Sequence, residues 1–353
     1  MSIRRPPLLL LATALALSGV AFVHADDLAQ SKFAEYLDAL RVQAGIPGLA
    51  AAIVGPTDVV WEGAFGQQNV DQNIKTRTDT PFELDGTTQA FVGSLAVRCA
   101  SDGWLSLNDK VSKYAPNSPD ASATIGQLLT HTSLGPNGLT FSYRPDRLGP
   151  VAAAVAGCTD SSFRWGVSAL YDRLAMASSV PGADVVQLTP PAEAFTASAL
   201  QRYKGVLSRL ATPYAVSGSR ATASSYVANT LTPASGMIST IQDLEQFDLG
   251  LKSGFVLQPD WRTFAWTPPT NASGAPLPHA YGWFVQNYNG GRLVWQFGVS
   301  DNASSSMILM VPQRGLTFIV AANSSGLVRP FNLAAGDVTI SPFAQLFLSV
   351  FVR

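Results

Sequence analysis

The chain of 353 residues carries 23 Lys and Arg against 24 Asp and Glu, a formal net charge of −1, with 47% hydrophobic and 13% charged residues. This balance belongs to globular chains that bury a large core; it excludes a disordered chain and the basic surface that a nucleic-acid partner requires. So small a net charge specifies no partner of either sign.

The chain opens MSIRRPPLLLLATALALSGVAFVHA, in which Arg4 and Arg5 precede an apolar run from Leu8 to Val23 and a Val-His-Ala before Asp26. Positive charge, then an apolar stretch, then a small residue is the order of a secretory leader, so cleavage is expected near Ala25, giving a secreted or periplasmic product. Pro6 and Pro7 follow the arginines without the remainder of a twin-arginine motif, which favours general secretion. Nothing later approaches an uninterrupted apolar run of roughly 18 residues, so no transmembrane segment is expected once the leader is removed.

Residues 28–44 set Leu28, Phe33, Tyr36, Leu37 and Leu40 at helical spacing, and Gly45 with Pro47 ends that helix. Residues 49–54 and 59–64 read as strands joined by Gly55-Pro56-Thr57-Asp58. From 81 to 254 the chain reads mainly as helices, over 90–101, 124–130, 168–177, 193–210 and 240–251, with long loops that include 217–229. After a proline-rich loop at 268–278, strands return at 281–286, 292–297, 304–311 and 316–321, separated by turn signals at Asn289-Gly290-Gly291 and Pro312-Gln313-Arg314-Gly315. The expected fold class is α+β. One antiparallel sheet is built from both chain ends (26–80 and 255–353) and flanked by helices, with a mainly helical region (81–254) inserted between them. Cys99 and Cys158 are the two cysteines; in an oxidising compartment they form one disulfide or stay as two buried thiols, and the sequence leaves that choice open. They are too few and too far apart for a metal site, and no cofactor is expected.

Five segments in order carry a resemblance: 45-GIPGLAAAIV-54, 81-PFELDGTTQAFVGSLAVRCASDGWLSLNDKVSKYAP-116, 127-QLLTHTS-133, 233-PASGMISTIQDLEQF-247 and 295-WQFGVSDNASSSMILMVPQRGLTFIVAAN-323. In this combination the chain resembles the serine beta-lactamase and penicillin-binding-protein superfamily, most nearly the class C beta-lactamases and related esterases. The resemblance implies a cleft between sheet and helical region where three elements meet: Ser-x-x-Lys at the start of a buried helix, Tyr-x-Asn on a loop, and a Lys-or-His, Thr-or-Ser, Gly on a strand. A serine hydroxyl attacks well only when a nearby base takes its proton, and one helical turn puts the lysine beside it.

Here the first element aligns as Gly86-Thr87-Thr88-Gln89, which lacks both hydroxyl nucleophile and amine. The second aligns on 163-FRWGVSALY-171, placing Trp165 and Val167 at the Tyr and Asn positions, and the third on Gln296-Phe297-Gly298. None of the six lysines follows a serine by three residues, and none of the nine tyrosines precedes an asparagine by two. Ser300-Asp301-Asn302 and Lys252-Ser253-Gly254 spell related motifs at the wrong places, past the strand and at a helix end. Thr87 and Thr88 are read as capping or lining the first helical turn, because a one-residue shift turns a side chain by about 100°. His131 in Thr130-His131-Thr132-Ser133 and His279 are read as structural, and no G-x-S-x-G elbow accompanies them.

No catalytic residue is therefore assigned. The expected ligand pocket comprises Gly86, Thr87, Thr88, Gln89, Trp165, Val167, Gln296, Phe297 and Gly298, with oxyanion-type backbone amides at Gly86 and Val299. The expected role is non-covalent binding of a cell-wall peptide, a small ester or amide ligand, or a protein partner. The alternatives are a serine hydrolase with a non-standard nucleophile and a purely structural or assembly role.

Overall fold

The structure is a computed structural model, and it describes residues 10–187, 195–218, 220–227 and 229–352. The start of the expected leader, and residues 193–194 of the expected 193–210 helix, lie outside the described residues.

In chain order the first half comprises α1 (Leu10–Gln43), β1 (Gly48–Val54), β2 (Val59–Asn69), β3 (Ile74–Lys75), β4 (Phe82–Glu83), α2 (Thr88–Ser101), α3 (Ile125–Leu129), β5 (Thr132–Gly135), β6 (Gly138–Phe141), α4 (Gly149–Thr159) and α5 (Phe163–Arg173). The remainder comprises β7 (Val180–Pro181), α6 (Ala197–Leu207), β8 (Tyr214–Ser217), β9 (Arg220–Ala223), β10 (Met237–Ser239), α7 (Ile241–Lys252), α8 (Pro259–Ala265), β11 (Phe284–Tyr288), β12 (Gly291–Ser300), β13 (Ser304–Val311), β14 (Leu316–Ala322) and α9 (Pro342–Phe351). Seven strands form one antiparallel sheet in the order β11-β12-β13-β14-β1-β2-β3, so the two chain ends meet where β1 pairs with β14.

Side-chain alternation along the strands gives the sheet two buried faces. Leu49, Ala51, Ile53, Trp295, Met307, Leu309, Phe318 and Val320 pack under Phe33 and Leu37 of α1 and Phe343 and Phe347 of α9. Ala50, Ala52, Val54, Val294, Ile308, Met310, Ile319 and Ala321 face the helical region and join Phe91, Val92, Tyr171 and Phe247 in a second core. Because both faces are covered, β1 and β13 are buried at every position and show no polar alternation.

The helical region differs in detail from the sequence expectation. Helix α5 begins at Phe163, five residues before the expected start, because the Ser162 side chain accepts from the Trp165 amide and caps it there. Part of the 217–229 segment expected to be a loop pairs as the β8–β9 hairpin, and α4, α8 and α9 arise where no helix was read. Cys99 on α2 and Cys158 on α4 form a disulfide with Cα atoms 5.9 Å apart, which settles the question the sequence left open. Among the described residues no helix is long and apolar enough to cross a membrane.

Candidate functional site

The expected nucleophile position lies where β4 leaves the small sheet and turns into α2, the helix buried between the two layers. Leu84 N–H donates to Met237 O at 2.9 Å, and the backbone then reverses at Asp85, a non-glycine residue in the left-handed region (φ 45°). A 3₁₀ turn over Asp85–Thr87 leads into α2. This turn lies flat on β12. A methyl carbon on Gly298 would stand 1.9 Å from Leu84 O and 2.8 Å from Gly86 N, so only glycine fits there. Gly86 is as tightly held: a Cβ at that position would meet Phe297 O at 2.6 Å.

Neither threonine behaves as an attacking group. Ser306 Oγ donates to Leu84 O at 2.7 Å, so in the 2.7 Å contact between Thr87 Oγ1 and Ser306 Oγ the proton comes from Thr87. Thr88 Oγ1 accepts from the Met237 amide at 3.3 Å. Both are buried, and both hydroxyls fasten the turn to neighbouring strands; neither makes a side-chain cap bond to α2, so of the expected capping or lining they do the lining.

At the expected lysine position, Gln89 is 2% exposed and bonded at both ends. The Arg144 amide donates to His131 Nδ1 at 3.1 Å, which leaves the proton of a neutral ring on Nε2. His131 Nε2 therefore donates to Gln89 Oε1 at 2.8 Å, and Gln89 Nε2 donates to Tyr143 Oη at 2.7 Å. Burial holds the His131 pKa down at about 4, keeping this chain uncharged.

At the third element, Gln296 Nε2 donates to Gly282 O at 3.0 Å and lies 3.4 Å from His279 Nε2, while its Oε1 accepts from the Phe297 amide. His279 Nδ1 donates to Ala280 O at 2.7 Å, and the two histidine rings meet edge to face with centroids 4.6 Å apart. Burial and the His131 ring push the His279 pKa well below its ordinary value. Neutral amide and imidazole groups thus stand where the resemblance implies cations, and the rings of Tyr143, Phe284 and Phe297 pack across the junction with centroids 5.3–5.7 Å apart.

The titratable groups beside the turn are acidic. Glu83 Oε1 accepts from the Asp85 amide at 2.8 Å and Glu83 Oε2 from Ser304 Oγ at 2.7 Å. Burial, followed by the neighbouring Glu83 carboxylate, pushes the Asp85 pKa up to about 8, against the opposing pull of the backbone amides of Gly86 and Val299. Those are the two amides expected to hold an oxyanion.

Gly86, Thr87, Thr88, Gln89, Gln296, Phe297 and Gly298 therefore come together, but around filled space: Gln89 and Gln296 are buried and Phe297 is 5% exposed. Trp165 and Val167 do not join them. Val167 is in the helical-region core, and Trp165 lines a separate groove of about 300 Å³ with Arg98, Arg173 and Phe255. The Ser162 cap fixes the phase of α5 that turns them away. The tyrosine beside Gln89 is instead Tyr143, from the segment after the β5–β6 hairpin, and no spacing rule singled it out. The misplaced motifs are elsewhere as well. Lys252 pairs with Asp248 at 2.6 Å and donates to Val54 O and Gly55 O, and Asp301 pairs with Arg329 beyond the end of β12.

Comparison with known proteins agrees with this layout. Protein flp of Staphylococcus aureus (strain MW2) is 30% identical over 308 residues, covering 79% of this chain and 60% of that protein, so the chain spans less than two thirds of this relative's length. Two solved structures share the fold. The octameric penicillin-binding protein homologue from Pyrococcus abyssi has TM-score 0.69, 17% identity, and 84% of this chain and 74% of that one covered. A class C beta lactamase from Rhodobacter sphaeroides has TM-score 0.66, 17% identity, and 92% and 99% covered. The Beta-lactamase family profile matches residues 31–338, and with the first and third motif positions gathered at one sheet–helix junction the chain belongs to the beta-lactamase family.

Proposed function

We propose that this protein is a catalytically silent member of its family, exported from the cytoplasm, that acts by non-covalent recognition. The observation that carries the reading is Gly86. At the nucleophile position there is no side chain, and the space for one is taken by Phe297 O, 2.6 Å from where a Cβ would stand. The loss of chemistry extends to the partners. Gln89 is a neutral link between His131 and Tyr143, and the Thr87 proton is committed to Ser306. Removing the nucleophile alone leaves a serine hydrolase with only about 10³ to 10⁴ over water, and here the base and the cation are replaced too.

Three ligand classes are compatible with the sequence: a cell-wall peptide, a small ester or amide, and a protein partner. A small ligand needs a concave pocket, whereas the junction here is filled by its own side chains, which favours a protein partner engaged through the outer surface. The leader-like N-terminus and the Cys99–Cys158 disulfide support an oxidising location outside the cytoplasm.

The test is intact-mass spectrometry of the native protein after exposure to a fluorescent penicillin and to a fluorophosphonate, beside turnover of a chromogenic lactam and a short-chain ester. No adduct and background turnover are expected. A stoichiometric adduct mapped to one hydroxyl would establish the competing reading, a serine hydrolase with a non-standard nucleophile.

A further inference from the structure

Helix α5 carries a row of side chains that the junction does not use. Trp165, Ala169 and Arg173 stand four residues apart, so the helix sets them on one face. They line the groove of about 300 Å³ together with Leu95 and Arg98 of α2 and with Phe255. Trp165 is 43% exposed and Phe255 48%, so two large aromatic faces are open to solvent there. A second groove, of about 580 Å³, also reaches Arg173 and Phe255, and the surface continues from them to Lys252. Among the described residues that line either groove, none is acidic. The cations differ in what they already hold. Arg98 Nε pairs with Asp102 at 2.9 Å, and its Nη1 donates to Phe255 O and Val256 O, both at 3.3 Å, which fixes that wall of the groove. Lys252 is committed to Asp248 and to Val54 O and Gly55 O. Arg173 is exposed, and among the described residues its guanidinium meets the Phe255 ring, 5.3 Å from the centroid, and no carboxylate.

We propose that this groove docks an extended acidic segment of a protein partner, with a carboxylate against Arg173 and an apolar side chain against Trp165. Tryptophan and arginine are the side chains in which interface energy concentrates, and a cation without a partner is complementary to an acid. Eight positions of α5 separate the two anchors, about 12 Å along the axis, which about four residues of extended chain span. Two grooves that meet at Arg173 and Phe255 suit an elongated ligand. One uncommitted guanidinium is too little charge for a nucleic acid or an anionic membrane, which engage several cations. This deepens the reading of a non-covalent recognition protein and rests on it for the partner being a protein.

The test uses the full chain with ¹⁵N-labelled tryptophan and follows the Trp165 indole resonance, assigned by its loss in Trp165→Phe. The probe is the peptide acetyl-Phe-Ala-Ala-Asp-Ala-Ala-Phe-amide, whose apolar residue on each side of the acid serves either chain direction; the control peptide carries Lys in place of Asp. The expected result is a saturable shift of the Trp165 indole with the acidic peptide and none with the basic one. Arg173→Gln, at an exposed position, is expected to weaken binding about tenfold through loss of a charged hydrogen bond. Lys75→Gln, on β3 and in neither groove, is expected to bind as the native protein does. The proposal is overturned by a native Trp165 resonance that does not move, by an equal response to the basic peptide, by unchanged affinity in Arg173→Gln, or by an equal loss in Lys75→Gln. A covalent penicillin adduct on the native protein sinks the silent-site reading, whereas a failed peptide titration without any adduct sinks only the docking proposal.

Discussion

Restoring the family side chains, Gly86→Ser with Gln89→Lys, is the change that a sequence alignment recommends, and the structure predicts that it costs stability without restoring acylation. A serine Cβ at position 86 meets Phe297 O at 2.6 Å, where ordinary contact begins near 3.4 Å, so the turn and β12 must part by about 0.8 Å. Neither can yield easily, because at the next strand residue Gly298 the same two segments are already in closest contact. Overpacking of this kind costs about 1–3 kcal/mol. A lysine at position 89 removes the acceptor for His131 Nε2–H, and a buried unpaired donor costs about 1–3 kcal/mol more. At about 2.1 cal/mol/K per residue over 353 residues, the unfolding entropy is about 0.7 kcal/mol/K, so a loss of about 2–6 kcal/mol lowers Tm by about 3–8 °C. Scanning calorimetry measures this shift, and intact mass after fluorescent penicillin measures acylation. A double variant that melts with the native protein and labels stoichiometrically refutes the close-contact reading of Gly86.

Three further outcomes follow from the packing. Reducing Cys99–Cys158, or replacing both residues by serine, releases a loop spanning 59 positions, and chain entropy puts the loss at about 4 kcal/mol, read as a lower guanidinium midpoint; an unchanged midpoint contradicts it. Glu245 is pushed up to about 8 by burial and then by Glu62 and Asp248, so the native state keeps a proton that the unfolded chain releases. Stability therefore falls as pH rises from about 4.5 to about 8, and Glu245→Gln flattens that decline in urea titrations at pH 5 and pH 8, whereas parallel native and variant curves contradict it. His131 has the opposite sign: with a folded pKa of about 4 below an unfolded value near 6.5, stability is lost as pH falls through that window. Its imidazole ¹⁵N shifts should stay those of the neutral ring from pH 8 down to pH 5, and protonation near pH 6.5 counts against the burial argument.

The family, the sheet from both chain ends and the emptiness of the first motif are legible in the residues alone, because each is written locally. Apolar runs mark β1, β13 and β14, turn residues separate the strands, and Gly86 and Gln89 stand in an ungapped segment whose neighbours match. Gln296 was likewise legible from its place before Phe297 and Gly298. Contacts between distant segments are not legible in this way. Tyr143 meets Gln89 across 54 positions and Thr87 meets Ser306 across 219, and no periodicity in one chain encodes such pairs. Trp165 was misplaced for the same reason: alignment gives an order of residues, whereas the direction of a side chain depends on where Ser162 starts the helix. Asp85 was passed over because its identity signals only an acidic turn. Its left-handed backbone, and a carboxyl group pushed up to about 8 by burial and then by Glu83, arise only in the folded chain.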